Sequence, residues 1–374
     1  MPAVSYALEV DGAPASAELL AAVRQVEVEE HAELAAMLRI GLAVGVRDDG
    51  AGWTVLDDDL FTRLAPVKLT VAVGSSTRVP LVEGRVVEAD AEFSNEPGRS
   101  TLEVVAMDAS VLMNLEEKIR AWPDMADSDI AATLFGEYGL EVDVEPTSLT
   151  RRQDVVTVIQ RGTDFQFLRR LATRNGYECF VTLDPSTGAA TGHFHPPRLQ
   201  GPPAGVLNVN MGSTTNVNAF RARFEMLRPT AARLDGVDFE TGDDQSAEVR
   251  DPSLEPLGGT RTHPADRPRV ALPGRIGLVE SAELQAYAQA VVDRSSWAIV
   301  AEGELNTAAF GGILRARQTV FVRGAGRNYS GAYYVERVLH AFTGDGYTQR
   351  FTLRRNALGL TRGENFAADD ALAE

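Results

Sequence analysis

Histidine is the side chain best suited to hold a transition metal or move a proton near neutral pH, and this 374-residue chain has five. His193 and His195 flank one residue, and His263 lies in a Pro-rich stretch. Three imidazoles could bind zinc, yet no Cys or carboxylate stands at a ligand-like spacing beside them, so they are read as loop histidines. His340 alternates within a strand pattern and is read as a hydrogen-bonding residue rather than a base. The acidic runs Asp48-Asp49, Asp57-Asp58-Asp59 and Asp243-Asp244 lack the spaced Asp/Asn, glycine and final Glu of a calcium loop and are read as solvated acids. Gly324-Ala325-Gly326 is followed by neither a third glycine nor a helix pattern, so it makes no dinucleotide loop. There is no Gly-x-Ser-x-Gly elbow and no phosphate loop ending in Gly-Lys-Ser/Thr. Paired carboxylates for glycosidic cleavage are defined by their separation in the fold, so no pair follows from spacing. Catalytic, metal and cofactor residues are therefore assigned as none, and the chain is expected not to be an enzyme.

Composition narrows the classes further. Hydrophobic residues make up 44% of the chain, enough for packed cores, and the length suggests two or three domains. A formal charge of −17 argues against binding nucleic acid by phosphate neutralisation. The single cysteine, Cys179, excludes an intramolecular disulfide and, mid-strand among apolar neighbours, is read as a small core residue. The N-terminus lacks the basic segment and apolar run of a secretory signal, and no apolar stretch would span a bilayer. Synthesis and assembly in the cytoplasm, without membrane insertion, are expected.

The most structured stretch is Gln160 to Leu183. Thr163 and Gln166 form a capping-box pattern, Asp164 sits at the positive end of the helix dipole, and Phe165, Leu168, Leu171 and Ala172 share a face. Arg169, Arg170 and Arg174 lie off that face and are candidate contacts to acids of an adjacent chain, or an ordinary solvated helix surface. Asn175-Gly176 stops the helix, and Tyr177 to Leu183 reads as a strand.

Short strands bounded by Gly, Pro and Asp turns dominate the rest. Val4–Val10, Val23–Glu29, Met37–Val46, Val67–Val73, Leu81–Phe93 and Ser100–Met107 form a first barrel or sandwich. Helices over Ser110–Ile119 and Ser128–Tyr138 and a strand near Val142 lead into the central unit, which exits at His193-Phe194-His195-Pro196-Pro197. Beyond Asn218 the pattern is β again, broken by a loop at 240–275 and a helix over Ser281–Ser296, with strands from Trp297 to Arg355. The expected class is α+β, mainly β: a first barrel-like domain at 1–108, an α/β insert at 109–203, a second barrel-like domain at 204–360 and an acidic tail at 361–374.

The two β regions run in the same order. Val67 to Gly74, Arg85 to Ala89 and Thr101 to Val104 correspond to Gln318 to Gly324, Arg337 to Ala341 and Arg350 to Leu353. Either the barrel is duplicated or two β-meanders merely look alike. If the barrel is duplicated, each copy in a closed ring would offer two quasi-equivalent units about one axis.

Two ordered matches carry a family resemblance. The first is Gln160 with Thr163-Asp164-Phe165-Gln166-Phe167-Leu168-Arg169-Arg170-Leu171, then Gly176-Tyr177 and the strand after it. The second is Gly331-Ala332-Tyr333-Tyr334-Val335 through Val338 and His340, with the strand closing on Arg354-Arg355-Asn356. Together they resemble the late control protein D family of phage baseplate hubs and the hub portion of VgrG spike proteins. The resemblance implies a structural, trimeric hub of a contractile tail or injection machine, with an inner tube protein, a separate spike protein and other baseplate proteins as partners. VgrG-type chains continue into an OB-like domain and a needle, whereas this sequence ends soon after Asn356, so a hub without its spike is expected. A tail-associated cell-wall hydrolase and a carbohydrate-binding β-protein are the alternatives.

Overall fold

Strand alternation in the first third is realised directly. A computed structural model describes residues 4–74, 78–147, 157–184, 187–238, 241–263, 269–272 and 281–361. Its first part comprises β1 (Val4–Val10), β2 (Ala13–Pro14), β3 (Val23–His31), β4 (Met37–Ala43), β5 (Pro66–Val73), β6 (Val79–Glu92) and β7 (Thr101–Met107). A short helix, α1 (Ala17–Ala22), is capped by the Ser16 hydroxyl, which accepts from the Leu19 amide at 3.1 Å. Every second strand residue turns inward, so Val26, Val28, Leu38, Ile40, Leu42, Leu69 and Val71 fill one core.

The insert contains β8 (Glu117–Trp122), α2 (Asp127–Glu137), β9 (Glu141–Val144), β10 (Val158–Thr163), α3 (Asp164–Asn175), β11 (Glu178–Leu183) and β12 (Ala190–His195). As expected, the Thr163 hydroxyl accepts from the Gln166 amide at the start of α3, and Gly176 takes φ 69° at its end. Leu134, Phe135, Phe165, Leu168 and Phe194 build a separate core. Gly192 lets the Phe135 ring lie flat on β12, since a Cβ there would stand 2.4 Å from ring carbons. The helix expected over residues 110–119 is a correction: only Ala109–Asn114 forms a 3-10 turn, and residues 117–122 are strand. Pairing of β8 with β10, from Glu117↔Thr163 to Trp122↔Val158, outweighs a weak local helix preference and buries Trp122.

The second half comprises β13 (Val206–Asn208), β14 (Val217–Phe224), β15 (Thr230–Val237), β16 (Asp244–Val249), β17 (Thr260–Arg261), β18 (Arg269–Ala271), α4 (Ser281–Ser296), β19 (Ile299–Leu305), β20 (Thr319–Arg323), β21 (Gly331–Thr343) and β22 (Gly346–Arg355). The expected loop at 240–275 is also corrected. It contains β16, which pairs with β15, and their hairpin packs Ala232, Leu234, Ala247 and Val249 against Leu284, Ala288 and Val292 of α4.

The protein is mainly β, and its two barrel-like halves share one ladder scheme. In the first half the hydrogen-bonded order is β5-β6-β7-β4-β3; in the second it is β20-β21-β22-β19-β14. Equivalence extends to irregularities. The β3–β4 ladder shifts between Val23 and Gln25 and the β14–β19 ladder between Val217 and Ala219. The β6–β7 ladder shifts between Val86 and Glu88 and the β21–β22 ladder between Val335 and Arg337. Leu64 and Arg317 both hold left-handed backbones, φ 63° and 67°, and their amides donate to the carbonyls of Val86 and Val335 at 2.9 and 2.8 Å. Coincidence between unrelated meanders would not reproduce two bulges and a rare backbone conformation in register.

Candidate assembly site

Among the described residues, this scheme leaves one side of β14 and part of one side of β6 without a ladder partner. β14 ends the main sheet and, among the described residues, is paired on one side only, by β19. β6 pairs with β7 along its second half, but on its other side the bonds to β5 and the preceding turn end at Val86, whose amide donates to the Ala65 carbonyl at 3.0 Å. Beyond Val86, among the described residues, that side of β6 has no ladder partner, and Val87 to Asp90 are exposed. Open edges are templates for a further strand.

The edges equivalent to these are joined inside the chain. β3 pairs antiparallel with β21 from Val26↔Phe342 to His31↔Arg337, fusing both halves into one sheet. Arg337 Nε donates to Glu29 Oε1 at 2.6 Å across this seam. Below it, buried Glu30 accepts from Arg315 Nε at 2.7 Å and lies 3.9 Å from His340 Nε2. Burial would raise the Glu30 carboxyl, but the Arg315 charge and His340 outweigh it and hold the group well below the usual carboxylate range. His340 Nδ1 lies 2.7 Å from the Tyr347 hydroxyl, consistent with its reading as a hydrogen-bonding residue.

A third joint fixes the insert. Tyr334 of β21 donates its hydroxyl to both oxygens of Glu178 on β11, at 2.9 and 2.7 Å. Burial pushes the Glu178 carboxyl up to about 7. Arg317 stacks over Phe180 at 3.9 Å and donates to the carbonyls of Ala32 at 3.1 Å and Leu34 at 3.3 Å, so it touches both halves and the insert.

His193 and His195 lie on β12, not on a loop, because β12 pairs with both β9 and β11. Parallel pairing with β9 brings in Asp143, and the ligand atoms of Asp143, His193 and His195 fall within 4.8 Å of one another. A divalent metal would find two imidazoles and a carboxylate there. The cluster also satisfies itself: Arg198 donates to both Asp143 oxygens at 2.8 Å, His193 Nδ1 stands 2.9 Å from Asp143 Oδ2, and His195 Nδ1 2.8 Å from the Pro196 carbonyl. Arg198 holds the Asp143 carboxyl down at about 2, whereas burial lowers His193 to about 4 and keeps it neutral at pH 7. Thr182 Oγ1, 2.7 Å from His193 Nε2, completes a hydroxyl–imidazole–carboxylate line. With Asp143 clamped by Arg198 on both oxygens, the geometry ties β9 to β12 and to the segment leaving the insert. His263 stands apart, 3.3 Å from the Thr230 carbonyl.

A sequence family described as the Alg8 N-terminal domain matches residues 1–214. The chain belongs to that family. No curated protein matches the sequence. The fold of the Alg8 N-terminal domain family member described here is shared with solved tail proteins along nearly its whole length. A 43 kDa tail protein of prophage MuSo2 from Shewanella oneidensis superposes with a TM-score of 0.64 at 16% identity, covering 95% of this chain and 100% of that one. A tail protein from Neisseria meningitidis MC58 gives 0.65 at 12% identity over 95% and 98%. An E. coli component of the type VI secretion system, described as structurally similar to T4 tail proteins gp27 and gp5, gives 0.58 at 11% identity over 93% and 76%.

The three arginines singled out by sequence have unequal surroundings. Arg174 binds Asp127 of α2, its Nε donating at 2.7 Å, and so braces α3 within the chain. Arg170 donates to the Arg161 carbonyl, and Arg169 is exposed at the rim of a cleft of about 250 Å³ beside Glu33, Glu178, Arg294 and Trp297. Sequence reasoning missed Asp143, Glu178 and Arg317. Each acts through a partner distant in sequence, and only the positive φ at Arg317, matching Leu64, has a counterpart to compare.

Proposed function

We propose that this chain is a structural baseplate hub of a contractile phage tail or injection machine, of the late control protein D type, and not an enzyme. Three copies form a closed ring whose six barrel-like halves match a six-fold inner tube above, while the three-fold symmetry of whole chains matches a spike below. The observation that carries this reading is the duplicated ladder with its bulges in register, because a trimer of such chains presents six similar units and three identical ones. The full-length likeness to tail proteins supports it. Partners are the inner tube protein, a separate spike protein and other baseplate proteins, reached in the cytoplasm and carried into the particle, with no direct role for nucleic acid or membrane. Among described residues no helix is long and apolar enough to cross a membrane. Arg169 and Arg170, exposed on α3, are proposed to meet acids of neighbouring chains in the assembled baseplate. Arg174, already bound to Asp127, would do so only by leaving that partner.

The test is co-assembly. The purified chain is mixed with tube and spike proteins encoded beside it, and the complexes are sized by native mass spectrometry. A complex of three chains with three spike copies, able to nucleate a tube, is the expected result; indifference to both proteins would overturn the reading.

A further inference from the structure

The duplicated register also specifies how one copy meets the next. Resting on the ring reading above, we infer that β14 of one chain adds to the open edge of β6 in a second copy of this chain, in the register that β3 uses on β21 within the chain. The mapping is fixed by the bulges. Val23 and Gln25 correspond to Val217 and Ala219, and Val335 and Arg337 to Val86 and Glu88. Carrying the β3–β21 pairs through these equivalences places Phe220 opposite Phe93, Arg221 opposite Glu92, Ala222 opposite Ala91, Arg223 opposite Asp90, Phe224 opposite Ala89 and Glu225 opposite Glu88.

Side chains support that register independently. On one face basic Arg221 and Arg223 of β14 meet acidic Glu92 and Asp90 of β6. The Arg337–Glu29 pair of the internal seam maps onto Glu88 and Arg223, with its signs exchanged between strands. Arg223 also reaches Glu225 at 2.8 Å, so it lies between the two glutamates that face each other at the end of the ladder. On the other face Val26 and Val28 of β3 are fully buried by the internal seam, whereas their equivalents Phe220 and Ala222 are only half-buried and Phe93 is 58% exposed. Adding the strand would cover these apolar residues and satisfy both backbone edges, as in β-augmentation. Each chain contributes one β14 edge and one β6 edge, so the contact runs head to tail, and in the ring proposed above it would close at three copies.

The experiment uses the full chain. Ala222→Cys with Ala91→Cys places thiols on directly opposed residues, within reach of an inter-chain disulfide. Mild oxidation should give covalent trimers on non-reducing gels, and Ala222→Cys with Glu88→Cys, three positions out of register, should give at least tenfold fewer. Arg221→Glu/Arg223→Glu should weaken self-association at least tenfold, and adding Asp90→Arg/Glu92→Arg should restore it, which a folding defect would not allow. A trimer that neither cross-links in this register nor responds to charge reversal would overturn the inference and leave the ring reading standing. A chain that stays monomeric with tube and spike proteins present would overturn both.

Discussion

Replacing Glu178 with Gln isolates the joint between the insert and the second half. In the fold the carboxyl is buried, shares the single Tyr334 hydroxyl proton between its two oxygens, and is raised from the ordinary 4.5 to about 7. A raised folded value means that the protonated form is favoured in the native state. Its contribution is fully present below pH 4.5, declines as pH rises, and is gone above about 7. At about 1.4 kcal/mol per pH unit, the displacement is worth about 3 kcal/mol. Gln keeps an acceptor for the Tyr334 hydroxyl and does not titrate. Glu178→Gln should therefore be near neutral at pH 4.5 and more stable than the wild type by up to about 3 kcal/mol at pH 8. Glu30, Asp143 and Glu336 are held below the usual range and lose their contributions as pH falls, so they bend both curves alike. The quantity to read is the difference between the two proteins in urea unfolding across this range. An equal loss of stability at both pH values would refute the reasoning, since it would mean that the carboxylate form is the one the joint needs.

Other substitutions probe the remaining joints. Arg317→Leu copies the residue at the equivalent left-handed position, Leu64, and so removes the guanidinium without new backbone strain; stranding carbonyls of residues 32 and 34 should cost about 3 kcal/mol in urea unfolding. Gly192→Ala drives a methyl into the Phe135 ring and should cost about 2 kcal/mol or more, read as a lower thermal midpoint. His193→Ala should cost about 1–2 kcal/mol at pH 7 by leaving Thr182 and Asp143 short of a partner. It should leave peptidoglycan digestion indistinguishable from the wild type, and a specific loss of activity would favour the hydrolase alternative.

Local signals were readable where a residue's neighbours in sequence are also its partners in space. Thr163, Gln166 and Gly176 bound α3 as their chemistry requires, and the alternating strands of the first third form as expected. Pairings between distant segments were not readable. Asp143 meets His193 and His195 only because β9 lies parallel to β12, a register that no spacing encodes. The unit formed by β15, β16 and α4 was hidden by a loop-like composition around its second strand. Duplication was visible in outline, but β6 was set three residues out against β21: similar residues put Arg85 beside Arg337, whereas the bulges put Val86 beside Val335. Side-chain likeness had drifted while the backbone irregularities had not.

Absolute mass in solution tests the central claim most directly. Native mass spectrometry or light scattering on the purified chain, alone and with the proposed spike partner, should give three copies of the 40.3 kDa chain, about 121 kDa, or three copies bound to three spike chains. A species that stays at 40.3 kDa at high concentration and ignores the spike protein would contradict the account.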